Sequence, residues 1–414
     1  MLKKLFSNEL AKGGLSLFIM FNLLNLLNFI FQISMARLLG PTDLGVLATI
    51  MILLYFLAIP TEAIQLLATK YTSRFNVKKE YGKIKYLLAK FFAKGTTISL
   101  TIFILAIPIF FILSIILKIS FWLFFMMGAV IFSIFLIPST RGVMQGMKKF
   151  HSLGINMVFE GFIRLLVAII FVLVGWKVYG AVFGIIVGVF APFLIMPFPL
   201  KKVIKSKKET ADISKIYSYS APILYVLLVI MFFQSIDVFI ARILFSFGGW
   251  EEALVGKYAV ANQIGKMIFF GTLAIGKVMF PISAETFERN GKTKQVIIKS
   301  FSAVLGICVI SLIVIALFPN LIVGLLYGEN YLDISGIIFN IGIAFSLLAL
   351  SNLIFLYGIS VNRVVKLKYI LAFILFQSII LFIFSSNIYN YSLGMILSGV
   401  VLFSISLISI RKKG

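Results

Sequence analysis

The sequence has few charged residues and almost none of the residue types that bind metals or form disulfides. Only 13% of its 414 residues are charged, and it contains a single cysteine, Cys308, and a single histidine, His151. One cysteine cannot form a disulfide within the chain, and no zinc spacing is present. No Ser/His/Asp constellation and no G-x-x-x-x-G-K-[ST] motif occurs in the sequence. We therefore expect neither an enzyme nor a bound metal or cofactor.

Apolar residues dominate the composition of the sequence. They make up 61% of the chain, and the mean hydropathy is +1.10. Runs of about 20 apolar residues, enough to cross about 30 Å of hydrocarbon as a helix, recur along the whole sequence. The sequence predicts an all-α polytopic membrane protein. Twelve transmembrane helices are predicted, at approximately 13–36, 44–68, 95–116, 121–143, 155–175, 179–200, 218–244, 254–280, 299–318, 334–359, 369–385 and 391–409.

The lysine and arginine residues indicate the orientation of these helices. Of the 38 basic residues, 30 fall in alternate loops that begin with the N-terminus, whereas the opposite loops hold little beyond Lys118 and Lys177. Because cytoplasmic loops carry the excess of Lys and Arg, both termini are predicted to be cytoplasmic. The net charge of +24 therefore reflects topology and contact with anionic headgroups, not nucleic-acid binding.

A short internal repeat divides the chain into two halves. The segment "QISMARLLG" (Gln32–Gly40) aligns with "DVFIARILF" (Asp237–Phe245), and each lies in the first helix of its half. Since six spans precede the second copy, both halves begin on the same side, and the repeat is parallel. Parallel repeats are familiar from transporters that move two bundles about a central site. We predict an N-terminal lobe over 1–208 and a C-terminal lobe over 209–414.

Polar residues form a stripe on the first predicted helix. Asn22, Asn25, Asn28 and Gln32 fall within about 120° of arc at 100° per residue. Two interpretations remain open for the stripe: hydrogen bonds between packed helices, or the lining of a substrate cavity.

Charged residues inside the spans are costly and usually face a cavity or a partner. The cations in or near the spans outnumber the anions, which favours an anionic ligand. Arg37 and Arg242 lie near the outer ends of their helices, where they either reach the headgroups or bind phosphate. The i, i+4 spacing of Glu160 and Arg164 favours an intrahelical pair. Candidate substrate-binding residues are Arg37, Arg242, Lys266, Lys277, Arg164, Asn25, Asn28 and Gln32, and candidate ion-coupling residues are Glu62 and Asp237.

Three glycines, Gly180, Gly184 and Gly188, form a double G-x-x-x-G pattern in the sixth predicted helix. Small residues at this spacing let two helix backbones approach closely. The pattern predicts a packing face and not a binding site.

One stretch resembles a known family. "ARLLGPTDLGVLATI" is similar to the hallmark of the polysaccharide-transport flippases, the Wzx-like proteins of the MOP superfamily, in which the first helix ends in A-R-x-L-G-P-x-x-[FLY]-G. The segments "DVFIARIL", "GKVMFPISAETFERNGK" and "LLYGENYLDISGIIFNIGIAF" also resemble family patterns.

The resemblance implies a V-shaped bundle of two six-helix lobes around a central cleft. It also implies alternating-access transport of a lipid-linked oligosaccharide on a polyprenyl phosphate or diphosphate, in the plasma membrane of a prokaryote, for surface polysaccharide assembly. Membrane lipids and glycan-assembly enzymes are the expected partners. The alternatives are a cation-coupled MATE-type exporter of small organic cations and a membrane scaffold for glycan assembly. A cleft with excess positive charge favours the flippase, and a cleft dominated by Asp237 and Glu62 favours the MATE-type exporter.

Overall fold

The computed structural model describes residues 9–57, 59–211, 221–290, 293–363 and 365–411. Every regular element in these ranges is helical, which confirms the predicted class of an all-α membrane protein. Nine helical runs in the described ranges are long and apolar enough to cross a membrane, and Leu367–Ile383 is a shorter apolar helix. Two of these runs, Ile19–Phe56 and Phe150–Ile195, each contain a break between two predicted spans. The count of twelve spans stays a prediction.

The chain forms two compact units. The first comprises residues 1–39 and 53–219, and the second comprises residues 40–52 and 220–414. The predicted lobes, 1–208 and 209–414, stay a prediction.

The first unit is built from the first part of α1 (Glu9–Leu57) and from eight further helices. They are α2 (Ile59–Val77), α3 (Tyr81–Leu117), α4 (Phe121–Gly128), α5 (Val130–Gly146), α6 (Phe150–Phe171), α7 (Lys177–Phe190), α8 (Pro192–Ile195) and α9 (Pro197–Lys205). A π-helical turn, Val172–Trp176, connects α6 with α7. One core cluster at an end of this unit contains Leu87 of α3, Met144 of α5, Leu153 of α6 and Val203 of α9.

The predicted glycine face packs α7 against α6. A Cβ atom built on Gly184 would lie 2.6 Å from the Cβ of Ala168, and one built on Gly188 would lie 2.8 Å from the Cα of Arg164. The glycines therefore bring the α7 backbone directly against α6, which confirms their structural interpretation.

The second unit contains residues 40–52 of α1 and seven further helices. They are α10 (Ala221–Phe247), α11 (Glu252–Asn290), α12 (Lys294–Leu317), α13 (Pro319–Tyr327), α14 (Ile338–Ser360), α15 (Leu367–Ile383) and α16 (Ile388–Arg411). A 3-10 segment, Glu329–Gly336, precedes α14. In its core, Phe233 of α10 stacks on Phe373 of α15 at 6.2 Å and meets Phe345 of α14 edge-on at 5.9 Å.

The break between the first two predicted spans, 13–36 and 44–68, lies at Gly40 and Pro41. Gly40 leaves helical geometry with φ 73° and ψ 176°, and Pro41 follows it inside α1. A positive φ suits glycine, and proline removes a backbone donor, so the helix breaks here. Beyond the break, Gly45 packs on Gly256 of α11, where an added Cβ would lie 2.9 Å from the Gly256 nitrogen.

Candidate functional site

A polar cluster lies inside the membrane-spanning part of the first unit, on α1, α5 and α6. Arg141 of α5 binds Glu160 of α6 through Nη2 and Oε2 at 2.5 Å, and its Nε donates to Asn156 Oδ1 at 3.1 Å. Asn156 in turn donates to the carbonyl of Pro192, next to the break between α7 and α8. Glu160 is thereby neutralised by a cation on a neighbouring helix.

This arrangement corrects the predicted intrahelical pair of Glu160 with Arg164. Arg164 instead reaches across to α1, where its Nη2 donates to Asn28 Oδ1. Its guanidinium also lies over the ring of Phe31, 5.3 Å from the centroid. Spacing on one helix favoured the pair, but the acid pairs with Arg141 on the helix packed against it.

Arg164 has donor capacity left over. Its Nε is buried and has no hydrogen-bond partner among the described residues, and no carboxylate among them forms an ion pair with it. Counted from Phe150, Arg164 lies about 21 Å along the helix axis, deep within the span. A guanidinium in this setting is a preorganised, planar donor for an oxyanion such as phosphate.

The other predicted residues of the first unit differ in exposure. Asn25 and Arg37 are exposed, whereas Asn28 and Gln32 are half-buried on the α1 side that faces Arg164. Asn28 thus makes a hydrogen bond between helices, one of the two interpretations of the polar stripe. The side chain of Glu62 lies outside the described part of the structure.

A second polar cluster surrounds Asp237 in the second unit. The fully buried carboxylate accepts hydrogen bonds at Oδ2 from Tyr258 (2.9 Å) and from Asn262 (2.6 Å). The Tyr391 hydroxyl donates to the backbone carbonyl of Asp237 at 2.6 Å. Oδ1 is buried without a hydrogen-bond partner among the described residues. Lys266, only 7% exposed, interacts electrostatically with this carboxylate.

Arg242 and Lys277 occupy contrasting environments. The Arg242 side chain is fully buried, binds Glu252 at 3.0 Å and lies over the Phe245 ring at 4.7 Å from its centroid. It is therefore held inside the second unit and does not extend toward headgroups. Lys277 is exposed.

Sequence reasoning missed several residues of these clusters, among them Arg141, Asn156, Tyr258 and Tyr391. Arg141 was not among the predicted site residues, although it lies near the end of the predicted span 121–143, and α5 extends to Gly146, which puts Arg141 well inside the helix. Tyr258 gives no signal, since a lone tyrosine in an apolar helix usually belongs to the core. Only the fold brings it to Asp237.

Comparison with solved structures identifies the fold. An inward-facing multidrug resistance MATE family transporter of the MOP superfamily superposes with a TM-score of 0.71 at 15% identity, covering 94% of each chain. The lipid II flippase MurJ in an inward closed conformation gives 0.68 at 14% identity, covering 96% of this chain and 87% of that one. A MATE protein in the bent conformation gives 0.56 at 15% identity, covering 98% of this chain and 97% of that one. Likeness at such identities shows that the chain has this membrane-transporter fold.

The family follows from the sequence match. Residues 34–336 match the model of the polysaccharide biosynthesis protein family. Because the match covers well over half of the chain, this protein belongs to that family, and the family recognised from "ARLLGPTDLG" is confirmed. Comparison with curated proteins finds no match.

Proposed function

We propose that this protein is a flippase that moves a lipid-linked oligosaccharide, carried on a polyprenyl phosphate or diphosphate, from the inner to the outer leaflet of a prokaryotic plasma membrane. The two predicted lobes, 1–208 and 209–414, alternate access to the substrate, and both termini are cytoplasmic. Membership of the polysaccharide biosynthesis family and the membrane-transporter fold support this proposal. The transported glycan serves surface polysaccharide assembly, with glycan-assembly enzymes as neighbours in the pathway.

The observation that carries the proposal is the charge balance around Arg164. The neighbouring acid, Glu160, is neutralised by Arg141, so it does not repel an anionic ligand. Arg164 keeps an unused donor at Nε and forms no ion pair with a described carboxylate. A phosphate oxygen supplies the missing acceptor and the missing negative charge.

Further residues are assigned roles on this basis. Asn28 holds the guanidinium, and Asn25 and Gln32 on the same helix offer amides to the sugar hydroxyls. Arg37 and Lys277, both exposed, are further cationic contacts for the phosphate. Arg242 and Lys266 lie beside Glu252 and Asp237, respectively, and have less positive charge to offer to the substrate.

Flipping of a fluorescent polyprenyl-diphosphate sugar in proteoliposomes tests the proposal. The Arg164→Gln variant removes the charge, and Arg164→Lys keeps the charge but loses the planar donor pair. Because a hydrogen bond to a charged group contributes about 1.5–3 kcal/mol, we expect Arg164→Gln to weaken apparent substrate affinity about tenfold to 100-fold. Arg164→Lys recovers part of that loss.

The matched control is Arg289→Gln, which makes the same chemical change at an exposed residue paired with Glu285. It is expected to flip at the wild-type rate. Wild-type flipping by Arg164→Gln would remove Arg164 from the substrate path. A wild-type protein that exports an organic cationic dye and flips no polyprenyl substrate would establish the MATE-type exporter instead.

Asp237 is our candidate for coupling transport to an ion gradient. Its carboxylate is buried in the second unit, has one oxygen without a hydrogen bond from the described residues, and lies in the field of Lys266. A change of charge at this carboxylate alters the electrostatics of the Tyr258, Asn262 and Lys266 cluster. Glu62, the second candidate for ion coupling, stays a prediction from the sequence.

The expected effect of Asp237→Asn is loss of the response to an ion gradient. In proteoliposomes, an imposed proton or sodium gradient accelerates flipping by the wild type and leaves the variant at its gradient-free rate. Asp333→Asn serves as the control, because Asp333 lies in the 3-10 segment outside the spans, where it pairs with Lys257. An Asp237→Asn protein that still responds to the gradient would refute the coupling role.

A further inference from the structure

One end of the first unit carries a concentration of lysines from two segments that are far apart in sequence. The start of α3 and the end of α9, with the residues that follow α9, bring these lysines together. We call them the lysine surface: Lys83, Lys85, Lys90, Lys201, Lys202, Lys205, Lys207 and Lys208.

The two segments are fixed to each other by hydrogen bonds. Lys85 Nζ donates to the carbonyls of Ile204 (2.6 Å) and Ser206 (2.9 Å), which closes the end of α9 against α3. The Glu209 amide donates to the Gly82 carbonyl at 3.2 Å. The two segments that carry the lysines are therefore held together on a packed scaffold.

The positive charge of the lysine surface is not balanced locally. Lys90 and Lys208 both lie over the Tyr86 ring, each 5.6 Å from its centroid, so two ammonium groups share one aromatic ring. The nearby acids are Glu80, which binds Lys83 at 2.9 Å, and Glu209. At the edge of this surface, burial and the neighbouring Lys202 lower the pKa of the Lys149 ammonium. The surface therefore favours an anionic partner.

The exposed side of α8 and α9 changes from apolar to basic along the helix. Leu194 is 74% exposed and Phe198 is 79% exposed, and Lys201, Lys202 and Lys205 follow on the same side within about 100° of arc. On the opposite side, Leu200 and Val203 are buried in the core cluster. Such a gradient matches a leaflet, in which apolar side chains contact the acyl chains and ammonium groups reach the headgroups.

We propose that the lysine surface is a binding site for anionic phospholipid headgroups of the adjacent leaflet, with Leu194 and Phe198 in contact with the acyl chains. Lysine is a flexible point charge, which suits a mobile array of headgroups, whereas arginine suits the bidentate grip of one phosphate. Basic residues near a membrane surface each contribute about 1 kcal/mol toward anionic lipid. This inference stands whatever the transported substrate is.

Tryptophan quenching by brominated lipids tests it. Phe198→Trp is placed in nanodiscs that contain either brominated phosphatidylglycerol in phosphatidylcholine, or brominated phosphatidylcholine in phosphatidylglycerol, at the same brominated fraction. The wild-type signal from Trp122, Trp176 and Trp250 is subtracted. We expect brominated phosphatidylglycerol to be enriched around residue 198 about fivefold, which corresponds to about 1 kcal/mol.

Two matched variants locate the effect. In the Phe198→Trp protein, the added changes Lys201→Gln, Lys202→Gln and Lys205→Gln are expected to make both lipids quench equally. Leu105→Trp, a 66% exposed position farther along α3, is expected to show no lipid preference.

Three results would overturn the proposal. They are equal quenching by both lipids at residue 198, a preference that survives the three lysine substitutions, and a preference of the same size at residue 105. Inorganic phosphate at constant ionic strength is expected to leave the preference unchanged. Competition by phosphate would mean that the surface takes a free phosphate ion and not a lipid.

Discussion

Arg141 and Arg164 lie near one acid, Glu160, and the acid pairs with Arg141. The i, i+4 spacing on α6 predicted the opposite partner, because spacing describes one helix and omits the helix packed against it. The packing of α5 on α6 brings Arg141 to Glu160 at 2.5 Å. Arg164 is left with a neutral partner, Asn28, and with the donor capacity on which the proposed function depends.

Removing one member of the Arg141–Glu160 pair is expected to lower the stability of the fold. Both side chains are less than one-fifth exposed, so Glu160→Gln leaves Arg141 as an uncompensated charge. Breaking a buried pair costs roughly 3–5 kcal/mol, and we expect about 3 kcal/mol here because burial is incomplete. Thermal unfolding in detergent measures this loss.

The double variant Arg141→Gln/Glu160→Gln separates the pair from the two residues. If the interaction is as argued, the double variant is more stable than the sum of the single losses predicts, by about 1–3 kcal/mol. Additive losses would mean that the two side chains do not interact. The surface pair Lys83–Glu80 is the comparison, and an exposed pair of this kind contributes about 0–1 kcal/mol.

The internal repeat shows that two residues at matched positions can have different environments in the structure. Arg37 and Arg242 occupy the same place in the two aligned segments, and sequence reasoning assigns them the same two interpretations. In the structure Arg37 is exposed, whereas Arg242 is buried against Glu252 and Phe245. The difference comes from Glu252, the first residue of α11, which lies outside the aligned segments, and from Phe245, which takes the place of Gly40 in the alignment. A repeat predicts where a residue lies on its helix, and the neighbouring helices decide what it contacts.

At the scale of the helices, features with strong local causes were predictable. Gly40 and Pro41 break α1 through their own backbone preferences, and Gly180, Gly184 and Gly188 mark the helix face on which α6 packs. The joint between α6 and α7 was predictable too, because it falls between the predicted spans 155–175 and 179–200, where Gly175 leaves helical geometry with φ 102° inside the turn Val172–Trp176.

Gly184 provides a test at this scale. In the Gly184→Ala variant the new methyl group would lie 2.6 Å from Ala168 Cβ and 2.6 Å from the Ala168 nitrogen, so α7 must move away from α6. Overpacking of this kind costs about 1–3 kcal/mol. Thermal unfolding in detergent is expected to show the loss.

Gly306→Ala in α12 is the matched control, because a Cβ built on Gly306 meets nothing within 4 Å. Alanine is the better helix former by about 0.5–1 kcal/mol, so this variant is expected to be neutral or slightly more stable. Equal effects of the two substitutions would contradict the packing role of Gly184 and attribute both effects to helix propensity.

For the whole molecule, composition was the most informative property. Low charge and long apolar runs identify a polytopic helical protein without any motif, because the bilayer requires both. The number of spans is harder to obtain, since two spans joined by a short break form one helical run, as in Phe150–Ile195. Which residues meet across helices, such as Tyr258 with Asp237, depends on the complete arrangement and is not encoded in local pattern.

The orientation of the whole chain is the remaining prediction. It is tested in a Cys308→Ser background, since the native cysteine is buried at 2% exposure and is the single one in the chain. Lys207→Cys probes the lysine surface, and Glu251→Cys probes the loop between α10 and α11; both positions are exposed. In intact cells a membrane-impermeant maleimide is expected to label residue 251 and to leave residue 207 unlabelled until the membrane is opened.

The physical reason for this expected orientation is the distribution of basic residues along the chain. With 30 of 38 basic residues assigned to one set of predicted loops, inverting the chain would carry the lysine surface through the hydrocarbon during insertion, against the rule that basic loops stay in the cytoplasm. Labelling of residue 207 alone in intact cells would reverse the orientation, and the anionic headgroups bound by the lysine surface would then belong to the outer leaflet. Labelling of both residues would place them on one side and contradict the single crossing by α10.

A third cysteine, Lys3→Cys, tests the parallel relation of the two halves. Six predicted spans separate residue 3 from residue 207, so both are expected to stay unlabelled in intact cells and to be labelled together once the membrane is opened. An even number of crossings in the first half is what makes the second half begin on the same side, because each crossing reverses the direction of the chain. Residues 3 and 207 on opposite sides would require an odd number of spans between them, and the two halves would then be related as an inverted repeat.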